Sequence, residues 1–364
     1  MKLPNNARRL LTAAQLLGMT RLGLVLSVVS GGWLMTYLAM AVEPAARRNP
    51  ELEALGLGWS LLASAGAALG LGVCAVALND VLDRRQDRAM GWAAGAYVSG
   101  GSAAHSGGTS GGELDDKPVA TGRVSVQSAT AVAVGALLVA VLSAGLLGVT
   151  SFRLAVLLAA GVLFYNFAGR FVPAVGIVTL GLLHGLALAL PNPDAGFAWP
   201  VLLTMTHVMG CGLVRHHLEN KRPRLRPRDV WGVLLGWGFW SLTVVLLINT
   251  RREAGEPMVG GEIWIGPAVA VVGFLLSAAW ALRERPDGQP PRLAVVLGAA
   301  GPRRFRRLSI GWLVVYDAAW LWSAGLWWQG FTVLGLLALV VLAATLAHDK
   351  QAASGRFIDE LTSR

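Results

Sequence analysis

Residues 77–88 read ALNDVLDRRQDR, and they close an apolar run that begins near residue 57. A bilayer-spanning helix takes about 20 mainly apolar residues, and this run is long enough. Its end is of another kind. Asn79, Asp83 and Asp87 fall four residues apart, and Asp80 lies between Asn79 and Asp83. On a helix these spacings put all four polar ends on one face. Like charges four apart repel by a few tenths of a kcal/mol even in open water, and desolvation at a membrane boundary raises that cost. A divalent cation would remove the difficulty. Mg²⁺ takes oxygen ligands and is commonly held by one or two carboxylates together with phosphate oxygens. The same string has a second reading, a helix end dipping into water with its acids paired to Arg84, Arg85 and Arg88.

The rest of the chain fits a bilayer. Hydrophobic residues make up 54% of the 364 and charged residues 14%, against about 25% charged in a soluble domain. Ten candidate spans follow from the apolar runs: 21–43, 57–79, 127–148, 151–169, 173–191, 197–218, 229–249, 263–283, 309–328 and 330–347. The expected fold is all-α, a polytopic membrane bundle of nine to ten transmembrane helices. No segment is long and polar enough for a separate soluble domain, so residues 1–364 read as one domain. The run after Arg21 is too long for a signal-peptide core and reads as the first span. The last two spans, about 309–347, make an additional hairpin whose turn falls near Gln329-Gly330. Residues 91–114 are rich in Gly, Ser and Ala, the composition of a flexible inserted loop.

Charge orients the bundle. The formal net charge is +10. With the N-terminus inside, the inner loops collect Arg84, Arg85, Arg88, Lys117, Arg123, Arg170, Lys221, Arg222 and the basic string from Arg303 to Arg307. The outer loops mix Arg47, Arg48, Arg251 and Arg252 with glutamates. The positive-inside rule accounts for this asymmetry. It points to a multi-pass protein of a cell inner membrane with the charged motifs cytoplasmic, and it leaves no need for nucleic acid as a partner. Cys74 and Cys211 both lie in apolar spans, which argues against a structural disulfide or a cysteine metal site.

The string from Asn79 to Asp87, ending an apolar helix on the basic side, resembles the first aspartate-rich motif of the UbiA superfamily of intramembrane prenyltransferases. Other pieces follow in the order that family shows. GMTRLG (residues 18–23) is similar to its start of helix one. DDKPVATGRVS (115–125) resembles its Arg-Pro-x-x-x-Gly-Arg-x-Ser segment, with Lys117 in place of arginine. FYNFAGRFVPAVG (164–176) is similar to its Tyr-x-x-x-Lys-Arg-x-x-x-x-Gly segment. The resemblance covers roughly residues 15 to 285 apart from the Gly-rich stretch.

The resemblance implies helices around a central, lipid-accessible cavity. It also implies a reaction: an allylic prenyl diphosphate held through Mg²⁺ ionises and alkylates an aromatic or related lipophilic acceptor, as in isoprenoid biosynthesis. Carried over residue by residue, Asp80, Asp83 and Asp87 would bind Mg²⁺ with Asn79 beside them. Lys117, Arg123 and Arg170 would meet the diphosphate. Asp83, Asp87 and Tyr165 would be catalytic, Tyr165 turning its ring to the carbocation. As an interface tyrosine, Tyr165 has an equally simple reading, and the three cations have one as positive-inside charge.

The family's second aspartate motif is altered. At the matching place stands HHLENKRP (216–223), where His217 and Lys221 occupy positions expected for aspartates and only Glu219 keeps a carboxylate for metal. Lys221 and Arg222 could then grip the diphosphate directly. The same change favours a second expectation, a non-catalytic UbiA-like protein that binds or moves a lipid-linked or aromatic metabolite. His184 and His207 lie in spans and read as histidines hydrogen-bonded to a neighbour. Asp317, an acid within a span, is a functional candidate or the partner of a nearby arginine. The basic loop, Asp317 and the last hairpin together are similar to the UbiA-like EboC branch.

Overall fold

The computed structural model describes residues 22–100, 119, 120, 122, 124–219, 223–251, 261–283 and 301–338, with the backbone alone at 22–24, 86, 87, 89–100 and 301–303. Among the described residues the regular structure is helical throughout. The helices are α1 (Leu22–Ala41), α2 (Pro50–Gly100), α3 (Val126–Leu146), α4 (Val149–Phe167), α5 (Pro173–Leu188), α6 (Trp199–Leu218), α7 (Pro227–Arg251), α8 (Ile265–Leu282) and α9 (Gly301–Ser323). A tenth, α10, occupies 327–338. Each of the ten apolar runs therefore falls on a helix over its described residues, the last of them as far as residue 338.

Among the described residues, five stretches are long and apolar enough to cross a membrane: Pro50–Arg85 of α2, all of α3, α4 and α7, and Gly261–Leu282 through α8. α5 and the Val25–Ala41 part of α1 are shorter apolar helices. The crossing helices turn much of their apolar surface outward. In α7 only 17% of the most apolar window is buried in protein, and Leu142, Leu235 and Leu276 are exposed. α6 and α9 are absent from the apolar set because they face protein rather than lipid, where polar groups find partners. α9 buries Asp317, Ala318, Trp320 and Leu321. α6 buries Thr204 and His207.

α1 sits at the centre, packed on α2, α5 and α9. Its Leu34, Met35 and Leu38 join Leu188, Trp320 and Leu321 in one cluster. Against α2 it runs antiparallel, with Trp33 Nε1 donating to the Leu61 carbonyl at 3.0 Å. Small residues set the closest approach: a Cβ on Gly70 of α2 would collide with the Ala136 carbonyl of α3. In a bilayer such backbone contact supplies the packing that apolar side chains, equally content in lipid, do not.

Two boundaries differ from expectation. α2 is helical through Gly100, so residues 91–100, expected to begin a flexible loop, extend the helix. Trp92, Ala93, Ala94 and Ala96 carry no breaker, and an established helix propagates through isolated glycines. Residues 101–118 lie outside the described residues. The last hairpin turns at Ala324-Gly325-Leu326 rather than at Gln329-Gly330, which lie within α10. Gly325 takes φ 76°, Leu326 N–H donates to the Leu321 carbonyl at 2.8 Å, and Gly325 N–H donates to that of Trp322 at 3.0 Å. This is the Schellman helix stop, which asks for glycine.

Candidate functional site

Alternation of helix direction brings the C-terminal part of α2, the α4–α5 turn and the end of α6 to one end of the bundle. On α2, Asn79 and Asp83 are one turn apart. Arg170 reaches them from a 3₁₀ turn, Gly169–Phe171, between α4 and α5. Its Nη1 lies 2.6 Å from Asp83 Oδ1 and donates to Asn79 Oδ1 at 3.1 Å. One guanidinium nitrogen thus bridges two residues of the carboxylate face. Phe171 backs the cation, with the guanidinium carbon 5.0 Å from its ring centre.

The turn that delivers Arg170 is seated on a bare Cα. A Cβ on Gly176, in the first turn of α5, would stand 3.0 Å from the Gly169 carbonyl and 3.1 Å from Arg170 Cα. Arg170 and Asp83 side chains retain only 17% and 20% exposure, and Arg170 Nε is buried with no hydrogen-bond partner. A buried N–H left unmade is costly, so this donor is a place for an acceptor. Tyr165, at the end of α4, lies within the electrostatic reach of Arg215, Arg170 and Asp83.

Asp80 is 9% exposed and takes part in an interaction of its own. Arg88 Nε donates to the Ala120 carbonyl at 2.9 Å, which holds the Val119–Gly122 turn against the last turns of α2. Val119, Val124 and Ala129 bury together with Val81 beside them. Ser125 then caps α3, its Oγ accepting from Ser128 N–H at 3.0 Å. Packing and capping therefore bring part of the DDKPVATGRVS segment to the carboxylate helix. Lys117, Arg123, Lys221, Arg222 and the side chain of Asp87 lie outside the described residues.

Asp83 does not stand in an open row of acids. Asp83 pairs with an arginine, and that arginine comes from a distant loop rather than from Arg84, Arg85 or Arg88. Glu219, expected to hold metal, pairs within its own helix end, with Arg215 Nε 3.2 Å from Oε1. The two sit four residues apart, where opposite charges meet readily. His216 Nε2 donates to the Pro223 carbonyl at 2.9 Å, and His217 is exposed. Among the described residues no group of three or more His, Cys, Asp or Glu is placed to hold a metal ion.

Arg215 was not singled out by sequence, since one cation at a helix end is ordinary there. The spacing Arg215–Glu219 was its visible signal. The span histidines behave as expected. His184 Nδ1 bonds to the Leu180 carbonyl at 2.9 Å. His207 Nε2 bonds to the Ser309 carbonyl at 2.9 Å; as that nitrogen must donate, Nδ1 accepts from the Tyr316 hydroxyl at 3.2 Å. Among the described residues Asp317 meets no arginine: Ser30 Oγ of α1 donates to its Oδ2 at 2.5 Å.

No protein-family model matches the chain, and no curated protein matches it. Among solved structures, a UbiA homologue from Archaeoglobus fulgidus bound to GPP and Mg²⁺ is 13% identical with a TM-score of 0.42, covering 88% of this chain and 99% of that one. A UbiA homologue from Aeropyrum pernix K1 in its apo form is 15% identical with a TM-score of 0.41, covering 89% and 97%. A digeranylgeranylglyceryl phosphate synthase is 13% identical with a TM-score of 0.39, covering 92% and 96%.

Proposed function

We propose that this chain is an intramembrane prenyltransferase of the UbiA type, moving a prenyl group from an allylic prenyl diphosphate to an aromatic or related lipophilic acceptor. The observation that carries the reading is Arg170. It is locked by Asn79 and Asp83 onto the face that the sequence marks for diphosphate, with its Nε–H buried and unanswered. A phosphate oxygen is the acceptor that such a charged, oriented donor suits best.

The donor set fits Mg²⁺. Asn79, Asp80, Asp83 and Asp87 offer oxygen only, and this ion is usually held by one or two carboxylates together with substrate phosphates. When bound there, Mg²⁺ would neutralise charge developing on the leaving diphosphate. The chain's own residues do the rest. Arg170 orients the diphosphate, with Lys117, Arg123, Lys221 and Arg222 as further cations from flanking segments. Tyr165 presents an aromatic ring beside Arg170 and Asp83, where a carbocation would be stabilised by its face. The surrounding apolar helices keep out water that would otherwise capture the cation. Cations at Lys221 and Arg222 in place of the second aspartate motif leave the site positive enough to hold diphosphate through fewer metal ions.

A second reading is favoured by one observation, the engagement of Asp83 by Arg170 next to an altered second motif. In that reading the protein binds or carries a lipid-linked or aromatic metabolite without transfer. The experiment that separates the two is binding of a prenyl diphosphate to the purified protein with and without Mg²⁺, followed by transfer from a labelled donor to a panel of aromatic acceptors in membranes. Mg²⁺-dependent binding with product formation is expected. Metal-independent binding without product would select the carrier, and no binding in either condition would overturn the enzyme.

A further inference from the structure

The loop from α6 to α7 stands at the same end of the bundle as Asp83. Arg224 and Arg226 lie in it, and Arg228 follows in the first turn of α7. All three are exposed. Among the described residues none of their side chains meets a carboxylate. The nearest acid in sequence, Asp229, is turned to the backbone, where its Oδ2 accepts from Arg226 N–H at 2.8 Å.

The loop is anchored on both sides of these arginines. His216 Nε2 donates to the Pro223 carbonyl at 2.9 Å. Leu225 packs against the cluster of Ile177, Met205, Met209 and Val233. Pro227 then opens α7, where its fixed φ suits a first helical turn. With Leu225 turned inward, Arg224 and Arg226 on either side of it turn outward. The positive-inside rule asks only for basic residues in such a loop. It does not account for guanidiniums held outward by a packed leucine and two backbone anchors.

The flank beside them is made for lipid. Trp231, one turn after Arg228, is 65% exposed, and Leu234 and Leu235 beyond it are exposed as well. Residues three apart share a helix face, so Arg228 and Trp231 look the same way. An exposed tryptophan of a membrane helix marks the headgroup level. The three unpaired guanidiniums therefore stand at headgroup height above an apolar helix face. Guanidinium pairs well with phosphate, and a basic cluster beside a membrane helix attracts anionic lipid.

We propose that this loop binds anionic phospholipid headgroups of the leaflet at its end of the bundle. The phosphates pair with Arg224, Arg226 and Arg228, and the acyl chains lie along Leu234 and Leu235 of α7. The assignment draws nothing from the diphosphate chemistry, so each can fail without the other.

The test uses delipidated full-length protein in detergent, titrated with phosphatidylglycerol and phosphatidylcholine of identical acyl chains. Bound lipid is counted by native mass spectrometry at low and high salt. Phosphatidylglycerol should be preferred, and the preference should shrink as salt rises. One arginine near an anionic surface is worth about fivefold, so Arg224→Gln, Arg226→Gln and Arg228→Gln combined should remove most of it. None of the three side chains bonds the fold among the described residues, so the combined variant should insert and unfold as wild type does. Arg153→Gln, which removes another exposed arginine, on α4, should leave the preference unchanged. Equal retention of the two lipids overturns the proposal and leaves the loop to an acidic soluble partner. A preference that survives in the combined variant, or that is lost in Arg153→Gln, overturns it as well. Displacement of the lipid by soluble glycerol phosphate at equal concentration would make the ligand a free phosphate ester and overturn the lipid assignment.

Discussion

Arg170 and Asp83 meet at 2.6 Å although they belong to different helix ends, α4–α5 and α2. Because Asn79 accepts from the same nitrogen, the guanidinium is fixed rather than merely nearby. The same planar group carries the unanswered Nε–H, a second fixed donor that lysine lacks.

Replacing Arg170 by alanine should therefore lower prenyl transfer by about 10²–10³-fold, the usual cost of losing one preorganised donor to a developing anion. Arg170→Lys should recover little of it. Radiolabelled transfer in membranes, normalised to inserted protein, measures both. Activity within a factor of about three of wild type in Arg170→Ala, well below that cost, would remove Arg170 from the site.

Asp83→Asn leaves the shape of the contact and removes one charge. If Asp83 serves only to hold Arg170, diphosphate affinity in the absence of Mg²⁺ should change little and the Mg²⁺ response should persist. If it also holds the ion, the Mg²⁺-dependent part of binding should disappear. Isothermal titration with and without the metal distinguishes these outcomes, and the second is expected from the all-oxygen donor set.

Gly176 supports the site from behind. Gly176→Val forces side-chain atoms into the Gly169 carbonyl and Arg170 backbone, where even a Cβ would stand at 3.0–3.1 Å. Overpacking of this kind costs about 1–3 kcal/mol, and here it displaces the turn that carries Arg170. Diphosphate binding should fall more than thermal stability does. Binding left intact would show that the turn is not seated as described.

Ser30 and Asp317 join α1 to α9 inside the bundle. Ser30→Ala leaves a buried acceptor unanswered, at a cost of about 1–3 kcal/mol. Ser30→Ala with Asp317→Leu should cost less than the sum of the two single changes, because the orphaned group is gone. Thermal unfolding of the four proteins in one detergent gives the coupling, and strict additivity would argue against the contact.

The helices of the described residues were legible because helix formation in a bilayer is local. A run of apolar residues long enough to span lipid must satisfy its own backbone hydrogen bonds. The carboxylate face of α2 was legible for the same reason, being a periodicity within one helix. The hairpin turn was misplaced by a few residues because Gly325 and Gly330 are both glycines, and only the backbone hydrogen bonds decide which one stops a helix. The helical reach of α2 into the Gly-rich stretch escaped notice because composition alone gives no account of propagation from an existing helix.

By itself the sequence determined that this chain is a helical membrane bundle with acids at one end of α2 and cations gathered near them. Tertiary structure alone decided which cation Asp83 meets and that Asp317 bonds Ser30. Helix propensity and hydropathy act on neighbours along the chain. Choosing a partner from another loop depends on how close two helices can pack, and that is set by contacts such as Gly176 on Gly169, which no single stretch of sequence contains.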